Sequence, residues 1–380
     1  MIDAASRMAL AAERELEALV AVSSPSGDLD GAEECVALAI AFLPTEASVE
    51  RLDCSTPRHA RDLLGRLDGG GSKRLVLLGH LDTVVSHGAH RPLARDGDRL
   101  TGSGAVDMKG GVALALALMR ELAERPELYA EVAVLLVNDE EWRTAPFKHA
   151  ERFAGFDACL CFEGGERRAD GAEAVIVKRK AAATLRVNAY GRSSHSGSAP
   201  ELGRSALLAL AAAAQVVAGC NDPGGPDRLT AVPTILRSGN AFNVVPAAGE
   251  LLCDLRADRL EAFDPVLAAV PRVHDEVRVE PTMVRAWPGL DSREPTAAVL
   301  AAASELLGRP IVGSERGGAS DASHLAAGGI DCTVDGLGPC GGGAHTPEEW
   351  VSAESLLGRA EVALAVTTAL LGAGSDPAGV

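Results

Sequence analysis

The chain has 380 residues, 47% apolar and only 3% aromatic, which is long for one domain and comfortable for two with aliphatic cores. Its formal charge of −17 excludes a nucleic-acid binder, which needs clustered Lys and Arg, and adhesion to an anionic membrane surface. It leaves open an anionic small substrate, because the local field decides that.

Residues 3–22 predict an amphipathic opening helix; a secretory leader would need a basic start and an unbroken apolar stretch. SSPSGD predicts a turn and a helix start, with Asp28 or Ser26 as cap. Residues 74–79, RLVLLG, form a short apolar strand ending at His80, and residues 98–102 another short strand. Residues 109–122 form an apolar helix entered through Gly110 and Gly111. EVAVLLV (131–137) and DACLCF (157–162) are buried strands, running into Asn138 and Glu163. Strands alternating with helices predict an α/β layer with a mixed, largely parallel sheet.

The pattern then changes. Residues 183–191 alternate apolar and polar, as a half-exposed strand does. A helix over 205–218, strands in RLTAVPTILRSG and AGELLCDLRA, a helix near 261–270 and the strand VRVEPTMVRA follow. Gln215 interrupts the apolar run of the 205–218 helix, which is too short to span a bilayer. This strand–helix–strand–strand–helix–strand order predicts a small ferredoxin-like α+β domain. It is inserted at 180–287 into a split α/β domain of residues 1–179 and 288–380, which resumes with a helix over 295–308. The final GAGSDPAGV reads as a frayed tail. Eight cysteines show no pairing framework; Cys159 and Cys161 would share one strand face as small hydrophobes, and a reducing cytosol fits them.

Carboxylates and imidazoles recur at the strand ends: His80 and Asp82 in GHLDTV, Asp107 in GSGAVDMKGG, Glu140 and Glu141 in NDEE, Glu163 in CFEGG, and His345 in GGGAHTPEE. The carboxyl ends of strands are where open α/β sheets build sites. Two imidazoles with three carboxylates suit a pair of divalent cations, zinc above all. Each signal alone has a plainer explanation. HxD fits a solvated turn, GSGAVD a helix cap, and DEE an acidic helix start. Glu163 and His345 fit solvated strand-end and loop positions. A dinucleotide fingerprint would need a third glycine that GSGAVD lacks.

Together and in this order, the motifs resemble the metallopeptidase family of glutamate carboxypeptidases, acetylornithine deacetylases and succinyl-diaminopimelate desuccinylases. GHLDTV, GSGAVDMKGG, NDEE, GRSSHSGSAPELGRSA, SGNAFNVVPAAGELLCDLRA and ERGGASDASHL carry the resemblance. HSGSAPELG and GGASDA place it nearest the glutamate carboxypeptidase branch. The resemblance implies two zinc ions, with Co2+ or Mn2+ as substitutes, bridged by Asp107. His80 and Glu163 would complete one site, and Glu141 and His345 the other. Glu140 would be the general base and Asp82 the orienter behind the ligands. His195 would reach a neighbouring subunit's active site and stabilise the oxyanion there. Asn243 and Arg256 would bind the substrate carboxylate and carbonyl, and Gly317 and Gly318 would belong to a loop lining the pocket. The inserted domain would serve as lid and homodimer contact.

The implied activity is hydrolysis of an amide next to a free carboxylate, as in release of a C-terminal acidic amino acid. An N-acyl amino acid deacylase is the alternative within the family. A catalytically silent relative used for binding or assembly is the alternative outside it. Three departures stand out. Trp142 and Arg143 put bulk and charge where the family carries small residues, which bears on substrate size. Ala181 or Ala182 replaces a glycine where the chain enters the inserted domain. Cys340, near His345, would be open to oxidation.

Overall fold

A computed structural model describes residues 2–372; most of the tail GAGSDPAGV lies outside the described residues. The chain divides into two compact units. One holds the residues up to 178, then 291–315, then 320 onward; the other holds 179–290 with 316–319.

The first unit is built on a six-stranded mixed sheet. Its spatial order is Ser48–Leu52, Asp62–Asp68, Glu131–Val137, Arg74–His80, Ala158–Cys161, Thr333–Val334. The last four run parallel to one another and the first two pair antiparallel at one edge. The parallel strands are nearly continuous apolar runs because both faces are covered. Alternate residues go to opposite faces. Leu75, Leu77, Val132, Val134 and Leu136 pack toward the helices Ile2–Ala21, Gly110–Ala123 and Ala353–Leu371. Val76, Leu78, Ala133, Leu135, Cys159 and Cys161 pack with Phe153, Phe156, Leu325 and Ile330 on the other face. Both cysteines of ACLC thus act as small hydrophobes.

The second unit is a five-stranded antiparallel sheet in the order Thr230–Ser238, Ala248–Ala257, Ala181–Tyr190, Val277–Trp287, Val273–His274. Its four long strands and two helices follow the ferredoxin-like order. Leu251, Cys253, Leu255 and Ala257 face the helices Ala206–Gly219 and Asp264–Ala269, so Asp254 and Arg256 point from the opposite face. The helix expected near 261–270 is split into a 3-10 turn, Leu260–Phe263, and the short helix Asp264–Ala269. Pro265 accounts for the break: it lacks the N–H to continue a helix but is accepted in a first turn.

Several elements lie beyond the sequence expectation. Ser48–Leu52 and Asp62–Asp68 carry charges that hide their strand period, and Ala353–Leu371 buries one face, from Leu356 to Thr367. Asp28 is the helix cap, accepting the Gly31 N–H at 2.7 Å.

Candidate metal centre

The first unit brings the strand-end residues together. His80 closes Arg74–His80, and Glu163 follows Ala158–Cys161, the strand hydrogen-bonded beside it. Both side chains therefore leave the same edge of the sheet. Glu140 and Glu141 follow Glu131–Val137, the neighbour on the other side.

Asp107 and His345 arrive by a different route. Arg99–Thr101 runs into GSGAVD, and it pairs antiparallel with Trp350–Ser352. Trp350–Ser352 also pairs with Gly341–Gly342, so His345 sits in the turn of that hairpin. One short ladder thus delivers both loops to one place. Gly104 adopts φ +76°, and a Cβ there would stand 2.7 Å from Thr83 Cγ2. At Gly111, where the following helix begins, a Cβ would meet the Phe162 carbonyl oxygen at 1.7 Å. Glycine is needed at both positions. His345 itself has φ 67°, an unusual conformation for a residue with a side chain.

Asp107 stands between the two histidines. Its Oδ1 accepts from His80 Nε2 at 3.1 Å, and its Oδ2 lies 3.1 Å from His345 Nε2. His345 Nε2 is also 3.3 Å from Glu141 Oε2, and His80 Nε2 is 3.9 Å from Glu163 Oε1. The donor atoms of His80, Asp107 and Glu163 lie within 4.8 Å of one another, as do those of Asp107, Glu141 and His345. Tetrahedral zinc with bonds of about 2.0–2.2 Å spaces its ligand atoms by roughly 3.3–3.6 Å. The nitrogen and oxygen donors thus have the right chemistry and spacing to surround two ions that share one carboxylate.

Charge in this cluster follows from the contacts. Burial opposes the charge of Asp107, but hydrogen bonds from His345 and His80 hold its carboxyl well below the usual range. Hydrogen bonds to Asp107 and Glu141 raise His345 to about 10. Burial pushes His80 down, yet its bonds to Asp107 and Asp82 leave it well above an ordinary imidazole. Burial drives Glu140 well upward; His80 opposes this, while Asp321, Glu163 and Glu141 add to it. Glu140 is thus a carboxyl group poised to hold a proton.

Asp82 acts on both sides. Its main-chain carbonyl accepts from His80 Nδ1 at 3.0 Å, which turns Nε2 toward Asp107 as the nitrogen that could hold a metal. Its carboxylate accepts the N–H groups of Glu140 and Glu141 at 3.2 and 3.1 Å. One aspartate therefore aims a histidine and fixes the paired acids.

Two residues have roles that the sequence reading did not give them. Buried Glu349 accepts the N–H groups of Gly104, Val106 and Asp107 at 2.8, 2.8 and 2.9 Å. Burial lifts its carboxyl to about 7, against those three bonds. The available signal was its two-residue spacing from buried Val351, which puts both on one strand face. The other is Arg143, which is only 3% exposed and bonded to Asp139 and Asp321, while neighbouring Trp142 is 64% exposed. The bulk beside the paired acids is therefore the tryptophan alone.

The remaining expected residues lie in the second unit. His195 bridges Val244, and Asn243 accepts the Ser196 N–H at 3.0 Å, so His195 and Asn243 are neighbours. His195 Nδ1 accepts the N–H groups of Gly197 and Ser198 at 3.2 and 3.1 Å, which assigns the proton of the neutral ring to exposed Nε2. Arg256 does not join them. It bonds Asp254 at 3.0 Å and lies near the opposite end of Ala248–Ala257 from Ala248, which pairs with Tyr190. Gly317 and Gly318 follow Ile311–Arg316, and Arg179 donates to the Gly318 carbonyl at 2.9 Å.

Residues 76–369 match the family described as Peptidase family M20/M25/M40. The chain is 30% identical over 356 residues to carboxypeptidase G2 from Pseudomonas sp. (strain RS-16), covering 88% of this chain and 82% of that protein. It is 29% identical over 309 residues to succinyl-diaminopimelate desuccinylase from Xylella fastidiosa (strain M23), covering 76% and 81%. Two solved structures share the fold. Aminopeptidase PepT from Bacillus cereus ATCC 10987 has a TM-score of 0.75 at 21% identity, covering 95% of this chain and 98% of that one. The M20 family metallo-carboxypeptidase Sso-CP2 from Sulfolobus solfataricus has a TM-score of 0.71 at 16% identity, covering 95% and 99%.

Proposed function

Because the chain belongs to peptidase family M20/M25/M40 and is a metal-dependent hydrolase, we propose that it cleaves an amide next to a free carboxylate, using two zinc ions shared at Asp107. The observation that carries this reading is that the two oxygens of Asp107 face different histidines, each with its own acidic neighbour. His80 and Glu163 would hold one ion, and Glu141 and His345 the other. When bound, the ions acidify a water and polarise the scissile carbonyl.

The rest falls to the protein. Glu140, which is no ligand in this scheme, takes the proton from the water and gives it to the leaving amine. Asp82 keeps Glu140 in place through its backbone N–H. The exposed Nε2–H of His195 is a donor suited to the oxyanion, and Asn243 beside it adds an amide. Arg256 offers a fork for the substrate carboxylate, exchanging Asp254 for it.

Release of a C-terminal acidic amino acid is the favoured reaction, supported by similarity to a carboxypeptidase over most of both chains. Similarity to a desuccinylase favours removal of an acyl group as the second reading. The proposed assembly is a homodimer through the second unit. Its support is the edge strand Thr230–Ser238, which exposes Val232, Ile235 and Leu236. A cytosolic setting is also proposed, since the eight cysteines show no disulfide framework in their spacing. No helix among the described residues is long and apolar enough to cross a membrane. The test is a screen of N-acyl amino acids and dipeptides with zinc present, read by amine release. Turnover of substrates with a free carboxylate, and none of their amidated counterparts, is the expected result. Equal turnover of both would defeat the carboxylate requirement.

A further inference from the structure

Arg143 closes a buried three-charge tie within the first unit. Its Nη2 donates to Asp139 Oδ1 at 2.8 Å and to Asp321 Oδ2 at 2.7 Å; Nε donates to Asp139 Oδ1 at 3.1 Å, and Nη1 to Asp321. All three residues are buried. The guanidinium also lies over the Phe147 ring, 4.8 Å from its centroid, and Phe147 stacks on His324 at 5.0 Å. Asp321 and His324 belong to the start and middle of one short helix, Ala322–Ala327 with its cap. Asp139 in turn accepts the Thr56 N–H at 2.8 Å. The segment from Asp139 to Phe147 is therefore pinned on two sides, and Glu140 and Glu141 lie inside it.

The two halves of the metal centre are supported differently. His80 closes a paired strand of the sheet, and Glu163 stands two residues past the end of the strand paired beside it. Glu141 and His345 are carried by loops, which hold their geometry only as well as their anchors do. We propose that Arg143 is a positioning residue that fixes Glu141, and so the half of the centre that Glu141 shares with His345, through Asp139 and Asp321, and leaves the half held by His80 and Glu163 untouched. The inference rests on the two-metal reading above. A small residue in place of Arg143 could make no such tie.

The test measures zinc affinity at both sites by chelator competition in Arg143→Lys, Arg143→Met, His345→Ala and the Arg143→Lys/His345→Ala double variant. Arg143→Lys keeps the charge but loses the planar fork, so it carries the test if Arg143→Met does not fold. One site should weaken about 10–100-fold in Arg143→Lys, the other staying within about two-fold. His345→Ala should weaken the same site, and adding Arg143→Lys should leave the surviving site unchanged. With substrate, kcat should fall about ten-fold at nearly constant KM, because Glu140 is displaced. Affinities unchanged at both sites, or falling together, would overturn the proposal. A wild-type protein that binds two zinc ions but hydrolyses no amide would defeat the proposed reaction while leaving this test intact. A wild-type protein that binds none would defeat both.

Discussion

The carboxylate of Glu349 accepts the backbone N–H of Asp107 at 2.9 Å, so the residue between the two histidines is held through its own main chain. The same carboxylate holds Gly104 and Val106. Replacing Glu349 by Ala would strand three N–H groups in a buried place, each costing about 1–3 kcal/mol. We expect Glu349→Ala to lose roughly 3 kcal/mol or more of stability in urea unfolding and to bind zinc more weakly. Stability and zinc content equal to wild type would contradict that role.

Asp82 should behave differently, because it aligns groups more than it supports the fold. Asp82→Asn keeps the main-chain carbonyl that orients His80 but weakens the grip on Glu140 and Glu141. A 10–100-fold loss of kcat is expected, with zinc retained. Steady-state kinetics on a zinc-replete sample would decide, and wild-type kcat would remove Asp82 from the mechanism.

Zinc binding should release protons. In the metal-free protein His345, at about 10, and His80, well above its ordinary value, both carry a proton at neutral pH. Each must lose it to ligate. Affinity should therefore rise with pH up to about 10. Calorimetry in buffers of different ionisation enthalpy should show a buffer-dependent heat. A heat independent of buffer would mean that the histidines do not ligate.

The pH dependence of folding should carry a signature of His324. Burial lowers its imidazole to about 4, although Asp321 pulls the other way. Its folded value lies below its unfolded one, so the neutral ring is favoured by folding. That contribution is present above pH about 6.5 and is lost as the pH falls toward 4, amounting to about 3 kcal/mol at most. His324→Phe, which keeps a ring against Phe147, should flatten urea stability between those limits. An unchanged slope would show that another group is responsible.

What the sequence revealed depended on distance along the chain. His80, Glu163 and the paired acids come at the ends of apolar strands, and although each alone fits a solvated position, their recurrence at strand ends points to a site. The α/β layer and the ferredoxin-like order were legible for the same reason, from runs and alternations a few residues long. Arg143 was misleading because its partner Asp321 is 178 residues away, and a local reading cannot neutralise its charge. Glu349 was hidden beside Glu348, since only the pairing of Trp350–Ser352 with Arg99–Thr101 turns one of the two inward.

The central claim is that Glu140 moves the proton in a hydrolysis organised by two ions it does not ligate. Zinc content and amide hydrolysis measured on one preparation of Glu140→Gln test it directly. Two zinc ions per chain with hydrolysis reduced at least about 100-fold is the result the account requires. Hydrolysis at the wild-type rate, or loss of zinc with the activity, would contradict it.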